Sequence, residues 1–203
     1  MPCYISKNMI DKVIDFHGHW CPGLAIGIRA AELALKRLGR SKESDLVAVV
    51  ETDMCGVDAI QMLTGCTFGK GNLIHRDYGK VAFSFFDRKK GKGFRAVLQP
   101  ELREEIGSEL QALMKKMNEG TISAQERHRS EELRQMLQDK YMKADLEDMF
   151  SITKLTASIP RPARILQSLR CEACGEMTME SRTRKFEGKT LCIPCFSKLD
   201  QKI

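Results

Sequence analysis

Phe16-His17-Gly18-His19-Trp20-Cys21-Pro22-Gly23 runs directly into Leu24-Ala-Ile-Gly-Ile-Arg-Ala-Ala-Glu-Leu-Ala-Leu-Lys-Arg-Leu38, and this stretch decides how the N-terminal part of the chain folds. Leu24, Ile28, Ala31, Leu35 and Leu38 advance by four, three, four and three residues, the spacing of one helical face. Pro22 suits the first helical turn and Gly39 its stop. Ala30 and Ala34 permit close packing on other faces. Just upstream, His17, His19 and Cys21 occupy alternate positions, which share a face if the segment is extended. Cys21 immediately precedes the helix, where the macrodipole favours a thiolate and so raises reactivity or metal affinity.

Working outward, Met9 to Phe16 reads as a short helix with Ile10, Val13 and Ile14 on one side. Leu46-Val-Ala-Val-Val50 reads as a buried strand, and Gly56 to Leu63 as a short helix stopped at Gly65. Asp53 and Cys55 therefore stand at the C-terminal end of a strand, a frequent place for sites in layered α/β structures. If the two segments meet, His17, His19, Cys21 and Cys55 hold a metal, or a histidine serves a cysteine as general base. Helix caps, buried thiols and a hydrogen-bonded histidine would account for the same residue types. Gly65-Cys-Thr-Phe-Gly-Lys-Gly71 lacks the four-residue gap and terminal Ser or Thr of a phosphate-binding P-loop, which disfavours nucleotide hydrolysis. Backbone amides with Lys70 can cradle an anion, but a simple turn with a solvated lysine is the plainer reading. Cys66 falls in the wall of the same site, and Cys3 reads as incidental.

Lys80 to Asp87 and Gly93 to Leu98 form an expected hairpin across Arg88-Lys-Lys-Gly-Lys-Gly93. After Pro100, one helix places Leu102, Ile106, Leu110, Leu113 and Met117 on a face. Ser123-Ala-Gln-Glu126 fits a capping box that opens a second helix, expected to run to about Phe150. The apolar residues of this pair lean on the core or on a second copy of the chain, so a homodimer is expected. The methionines read as adaptable core filling. Ile159-Pro-Arg-Pro162 is a stiff linker. The fold class is α+β: a mixed sheet with helices over residues 1–160, a helical hairpin extension at about 100–150, and a small module over 161–203.

That module carries Cys171-Glu-Ala-Cys174 and Cys192-Ile-Pro-Cys195. Two such pairs at this separation are the spacing of a four-thiolate structural zinc site, and so short a piece needs the metal to fold. From Ser151 onward, ten Lys and Arg face five Asp and Glu, so most of the chain's formal charge of +6 lies there. Thiolates around zinc lower the excess. The remaining basic surface fits nucleic acid or an acidic protein, and equally a solvated face.

The 203 residues suffice for one medium and one small domain. The first residues hold no apolar signal core, and the longest strongly apolar run, Leu46 to Val50, is far too short to span a membrane. Eight cysteines in such a chain point to metal or thiol chemistry in the cytoplasm, not to disulfides.

Phe16-His-Gly-His-Trp-Cys-Pro-Gly-Leu-Ala25 resembles the opening signature of the family named for the E-subunit of formylmethanofuran dehydrogenase. Glu51-Thr-Asp-Met-Cys-Gly-Val-Asp-Ala-Ile-Gln61, Leu63-Thr-Gly-Cys-Thr-Phe-Gly-Lys-Gly-Asn-Leu73 and Asp77-Tyr-Gly-Lys-Val-Ala-Phe83 resemble its later blocks, in order. The tail is similar to zinc-ribbon or treble-clef modules appended to some members. The resemblance implies an α+β core, self-association, and a protein partner in a larger redox complex, a molybdenum or tungsten enzyme whose pterin centre lies in other subunits. It carries over His17, His19, Cys21, Asp53, Cys55 and Cys66 as a second metal or thiol site. The expectation is thus a metal-binding accessory or regulatory protein, with zinc in the tail and a second divalent metal in the core domain. A stand-alone metal- or thiol-dependent enzyme and a nucleic-acid-binding regulator are the alternatives.

Overall fold

A computed structural model describes residues 3–39, 45–156 and 159–199; the outermost residues of both expected domains lie outside this set. The chain divides into two compact units, Met1–Pro162 and Ala163–Ile203.

The first unit is built on five strands: β1 (Leu46–Val50), β2 (Leu73–His75), β3 (Ala82–Asp87), β4 (Lys92–Leu98) and β5 (Phe150–Leu155). Their order is β2-β1-β3-β4-β5, with β1 and β2 parallel and every other pair antiparallel. Register places Ala48 opposite Phe85 and Phe85 opposite Phe94, so one face of the sheet gathers Ala48, Phe85 and Phe94 into the main core. The alternate residues Val47, Val49 and Phe86 face the other way, where Ile159 packs over them. Covering both faces explains why all five residues of β1 are buried and why that strand reads as an unbroken apolar run.

On the main-core face lie α1 (Lys7–His17), α2 (Pro22–Leu38) and α3 (Gly56–Thr64). The periodicity of α2 is realised: Leu24, Ile28 and Ala31 are fully buried, each large one worth about 1.5–3 kcal/mol. The same helix buries Arg29 and Glu32 as a 2.6 Å ion pair. Arg29 also donates to the carbonyl of Ala144, and Tyr4 N–H donates to Glu32. Such a pair adds little net stability but fixes which segments meet, here the N-terminal stretch and the end of the hairpin.

The hairpin comprises α4 (Glu101–Asn118) and α5 (Ala124–Lys143), and the Ser123–Glu126 capping box is present. Ile106, Leu110 and Leu113 pack into the same core as Leu133, Leu137 and Tyr141. Among the described residues, Met114 and Met136 are the large apolar residues exposed on the two helices. The second helix stops at Lys143 and does not reach Phe150. Ala144 is extended, a four-residue helix (α6, Leu146–Met149) follows, and Phe150 begins β5. Burial of Leu146, Met149 and Phe150 in the core outweighs continuation of a charged helix.

The second unit comprises two short hairpins, β6 (Ser168–Arg170) with β7 (Met177–Met179) and β8 (Thr183–Phe186) with β9 (Lys189–Cys192), then a single turn of helix, α7 (Ile193–Phe196). Its buried apolar cluster is Cys171, Leu191 and Cys192, backed by Phe186 and Phe196 edge to face at 6.1 Å. None of the described helices is long and apolar enough to cross a membrane.

Candidate metal centre

The C-terminal cysteines converge: all four sulfurs lie within 4.8 Å of one another. Cys171 and Cys174 bracket the turn after β6, while Cys192 ends β9 and Cys195 sits on α7. The backbone N–H of Cys192 donates to the Cys171 sulfur at 3.3 Å. Amides of Cys174 and Cys192 hold the Cys171 thiol down to about 6, and neighbouring Cys192 and Cys174 push Cys195 up to about 12. Four thiols this close oppose one another's ionisation, and a bound cation would relieve that opposition. Zinc bound tetrahedrally at about 2.3 Å sets its sulfurs roughly 3.8 Å apart, and Cys174 and Cys192 stand at 3.9 Å. The residues fit zinc.

The N-terminal constellation also assembles. Donor atoms of His17, His19, Cys21 and Cys55 lie within 4.8 Å of one another. The route differs from the expected extended segment. His17 is the last residue of α1, Gly18 turns the chain through a left-handed conformation at φ 93°, and Cys21 caps α2 by accepting from Leu24 N–H at 3.3 Å. Cys55 precedes α3. Its meeting with Cys21 depends on glycine: a Cβ on Gly27 would stand 2.1 Å from the carbonyl oxygen of Gly56, and one on Gly23 would stand 3.2 Å from the Cβ of Cys55. Helix starts therefore lie side by side because backbone touches backbone.

Asp58, absent from the sequence-level site, completes the arrangement. Its carboxylate meets His17 Nδ1 at 2.7 Å, which orients the ring and leaves Nε2 facing Cys21 Sγ at 4.0 Å. A carboxylate behind a histidine is the usual means of presenting the other ring nitrogen to a metal. The readable signal was the spacing Cys55-x-x-Asp58, which puts both on one side of a helix start. Zinc with one sulfur and one nitrogen ligand sets them roughly 3.6 Å apart, so the His17–Cys21 pair, at 4.0 Å, fits after a contraction of a few tenths of an ångström.

Cys55 does not gain the acidity expected of a thiol at a helix start. Burial and the hydrogen bond with Cys21 raise its pKa, and the nearby Asp58 adds to the rise. Asp53 is exposed and lines a groove of about 420 Å³ that also reaches His17, Cys55, Asp58, Phe68 and His75. Cys66 does not join the cluster: it is fully buried in the core and its thiol donates to the Leu46 carbonyl at 3.3 Å. Gly65 to Gly71 is a turn. A Cβ at Gly65 would meet the Lys70 ammonium at 3.6 Å, so that lysine folds back on the end of α3 and does not frame an anion site.

Comparison with known proteins follows the same division. Residues 16–151 match the family described as FmdE, molybdenum formylmethanofuran dehydrogenase operon, and residues 164–201 match the prokaryotic dksA/traR C4-type zinc finger. A protein of Archaeoglobus fulgidus named probable S-adenosyl-L-methionine-binding protein is 32% identical over 198 residues, covering 93% of this chain and 52% of that protein. The chain thus spans about half the length of this relative. The crystal structure of an FmdE-like protein of the tungsten formylmethanofuran dehydrogenase type, from Syntrophus aciditrophicus, matches with a TM-score of 0.61 and 25% identity, over 94% of this chain and 91% of that one. The FmdE domain, the C4 zinc finger and the two Cys/His clusters fit a metal-binding accessory protein.

Proposed function

The chain belongs to the FmdE family, and from that premise we propose that it is an accessory protein holding two metals: the zinc of its C-terminal finger, and a second divalent ion on His17, His19, Cys21 and Cys55. The observation that carries this reading is the convergence of the four donors with Asp58 braced behind His17. A metal bound there draws the proton off each thiol and neutralises two thiolates. The chain's own residues do the rest. Asp58 holds His17, Leu24 N–H holds Cys21, and the Gly27–Gly56 approach holds the two helix starts together. Elemental analysis tests the reading. The whole chain should carry two metals, the Cys21→Ser/Cys55→Ser variant one, and the Cys171→Ser/Cys174→Ser variant one. A double variant at Cys21 and Cys55 that keeps the full wild-type complement would reject the second centre.

A second reading concerns the groove beside that centre. Its lining includes the carboxylates Asp53 and Asp58 and the exposed ring of Phe68, and, among the described residues, no Lys or Arg. Those groups suit a ligand that joins a flat ring to a positive charge. S-adenosyl-L-methionine, the ligand in the name of the Archaeoglobus relative, has that chemistry. Calorimetric titration of the metal-loaded chain with it, repeated on Phe68→Ala, decides the point: no heat in either protein removes this reading and leaves the metal centre standing.

A further inference from the structure

The four donors of the N-terminal centre are not held alike. His17 ends a helix, keeps 11% of its side chain exposed, and is fixed by Asp58 at 2.7 Å. The Cys21 sulfur accepts a backbone N–H at the head of α2. Cys55 is half-buried beside Gly23, where a Cβ would lie 3.7 Å from its sulfur. His19 is exposed, and among the described residues it has no hydrogen-bond partner; its ring meets that of His17, with centroids 4.5 Å apart. It follows Gly18, around which a Cβ would find nothing within 4 Å, so the backbone on this side has room.

A metal-ligating histidine normally gives its second ring nitrogen to a carboxylate, carbonyl or water, and this partner is what makes the ligand hard to displace. Structural zinc sites keep four protein ligands, whereas reactive ones keep three and a vacant position. Resting on the metal-binding reading above, we propose that His19 is a releasable ligand. His17, Cys21 and Cys55 retain the ion, and the departure of His19 gives its position to an external monodentate donor of the imidazole or thiolate class. Two thiolates already balance a divalent ion, so a neutral donor such as imidazole replaces the histidine with no change of charge, whereas a thiolate that replaces it leaves the centre with one net negative charge. The incoming ligand approaches from solvent, on the side where His19 is exposed.

The test uses the whole chain with zinc already in its finger, titrated with cobalt(II), whose visible absorption reports ligand number and type. His19→Ala should still take one cobalt in the core domain, with affinity down by about tenfold, while His17→Ala loses at least a hundredfold, as expected for removing a braced ligand. Added imidazole should restore the wild-type absorption to His19→Ala, and 2-mercaptoethanol should shift the absorption of the unsubstituted protein itself. Loss of cobalt from His19→Ala as complete as from His17→Ala overturns the proposal, as does indifference of both proteins to imidazole and thiol. Wild type that takes no cobalt outside its finger overturns it together with the second centre. Wild type that takes cobalt while His19→Ala does not overturns the exchange alone. Circular dichroism of His19→Ala separates these outcomes from misfolding.

Discussion

Gly27→Ala is the substitution that best separates the fold from the site it supports. Alanine inside a helix is ordinarily worth about 1 kcal/mol more than glycine, so propensity alone predicts a more stable protein. The structure predicts the reverse. The new Cβ would lie 2.1 Å from the Gly56 oxygen, 2.4 Å from its Cα and 2.5 Å from its carbonyl carbon. Restoring the 3.0 Å that real contacts respect requires α2 and α3 to part by roughly 0.9 Å. No rotamer can absorb this, because the opposing atoms are backbone. Overpacking of that kind costs about 1–3 kcal/mol. The same displacement acts on Cys21 and Cys55, which stand at the heads of the two helices. Metal–ligand distances tolerate only about 0.2 Å, so binding should suffer more than folding, by at least tenfold. Urea unfolding monitored by circular dichroism gives the first quantity, and chelator competition at the core-domain centre gives the second. Gly69→Ala is the control, since a Cβ there meets nothing within 4 Å. Gly27→Ala that is as stable as wild type and binds metal with unchanged affinity would show that the glycine contact does not set the distance between the cysteines.

Asp58→Asn should weaken the second metal by about 10–100-fold while leaving the finger's zinc intact, read by chelator competition; an unchanged affinity would mean that Asp58 does not orient His17. Cys174→Ser should cost the chain one zinc and open the 163–203 unit to protease, with the thermal transition of the first unit unmoved; a shift in that transition would show that the units do not fold independently. The Glu51 carboxylate takes two charge-assisted bonds from Arg95, at 2.6 and 2.7 Å, which depress its pKa below the ordinary 4.5. A depressed carboxylate contributes stability that is full above its unfolded value and is lost as pH falls toward its folded one. Arg95→Gln should therefore flatten the stability profile below about pH 4.5, checked by urea midpoints across that range; parallel profiles would contradict the linkage.

What the sequence revealed follows the range of the interaction involved. The α2 periodicity, the Ser123–Glu126 cap and the β3–β4 hairpin are encoded within a few residues and were all readable. The four finger cysteines were readable for the same reason, since each pair shares one turn. Strand β2 was missed because three residues, Leu73-Ile-His75, carry no alternation and gain their conformation from parallel pairing with β1. Strand β5 was missed because charged helix runs toward it without a glycine or proline stop, while Phe150 and Ile152 are apolar positions that suit either period. In the N-terminal cluster, the residues that converge were visible but the cause of their convergence was not. The alternation of His17, His19 and Cys21 pointed to residues that do come together, but through another geometry than the extended one expected. Convergence comes from a left-handed glycine and a backbone contact between Gly27 and Gly56, neither of which leaves a side-chain pattern to read.

The two centres should also differ in what the metal does for folding. Among its described residues the finger buries little besides Leu191 and two of its own ligands, too small a cluster to hold two hairpins together. Its zinc must therefore replace hydrophobic burial, and chelation should cost the unit its structure. The N-terminal donors stand at the edge of a core that includes Leu24, Ile28, Phe83, Phe85 and Phe94. The ion pair of Arg29 with Glu32 and the five-stranded sheet use none of the four donors. A metal held there would have little folding work to do. On the proposed two-metal reading its binding energy would remain available for exchange with a ligand, at the exposed His19.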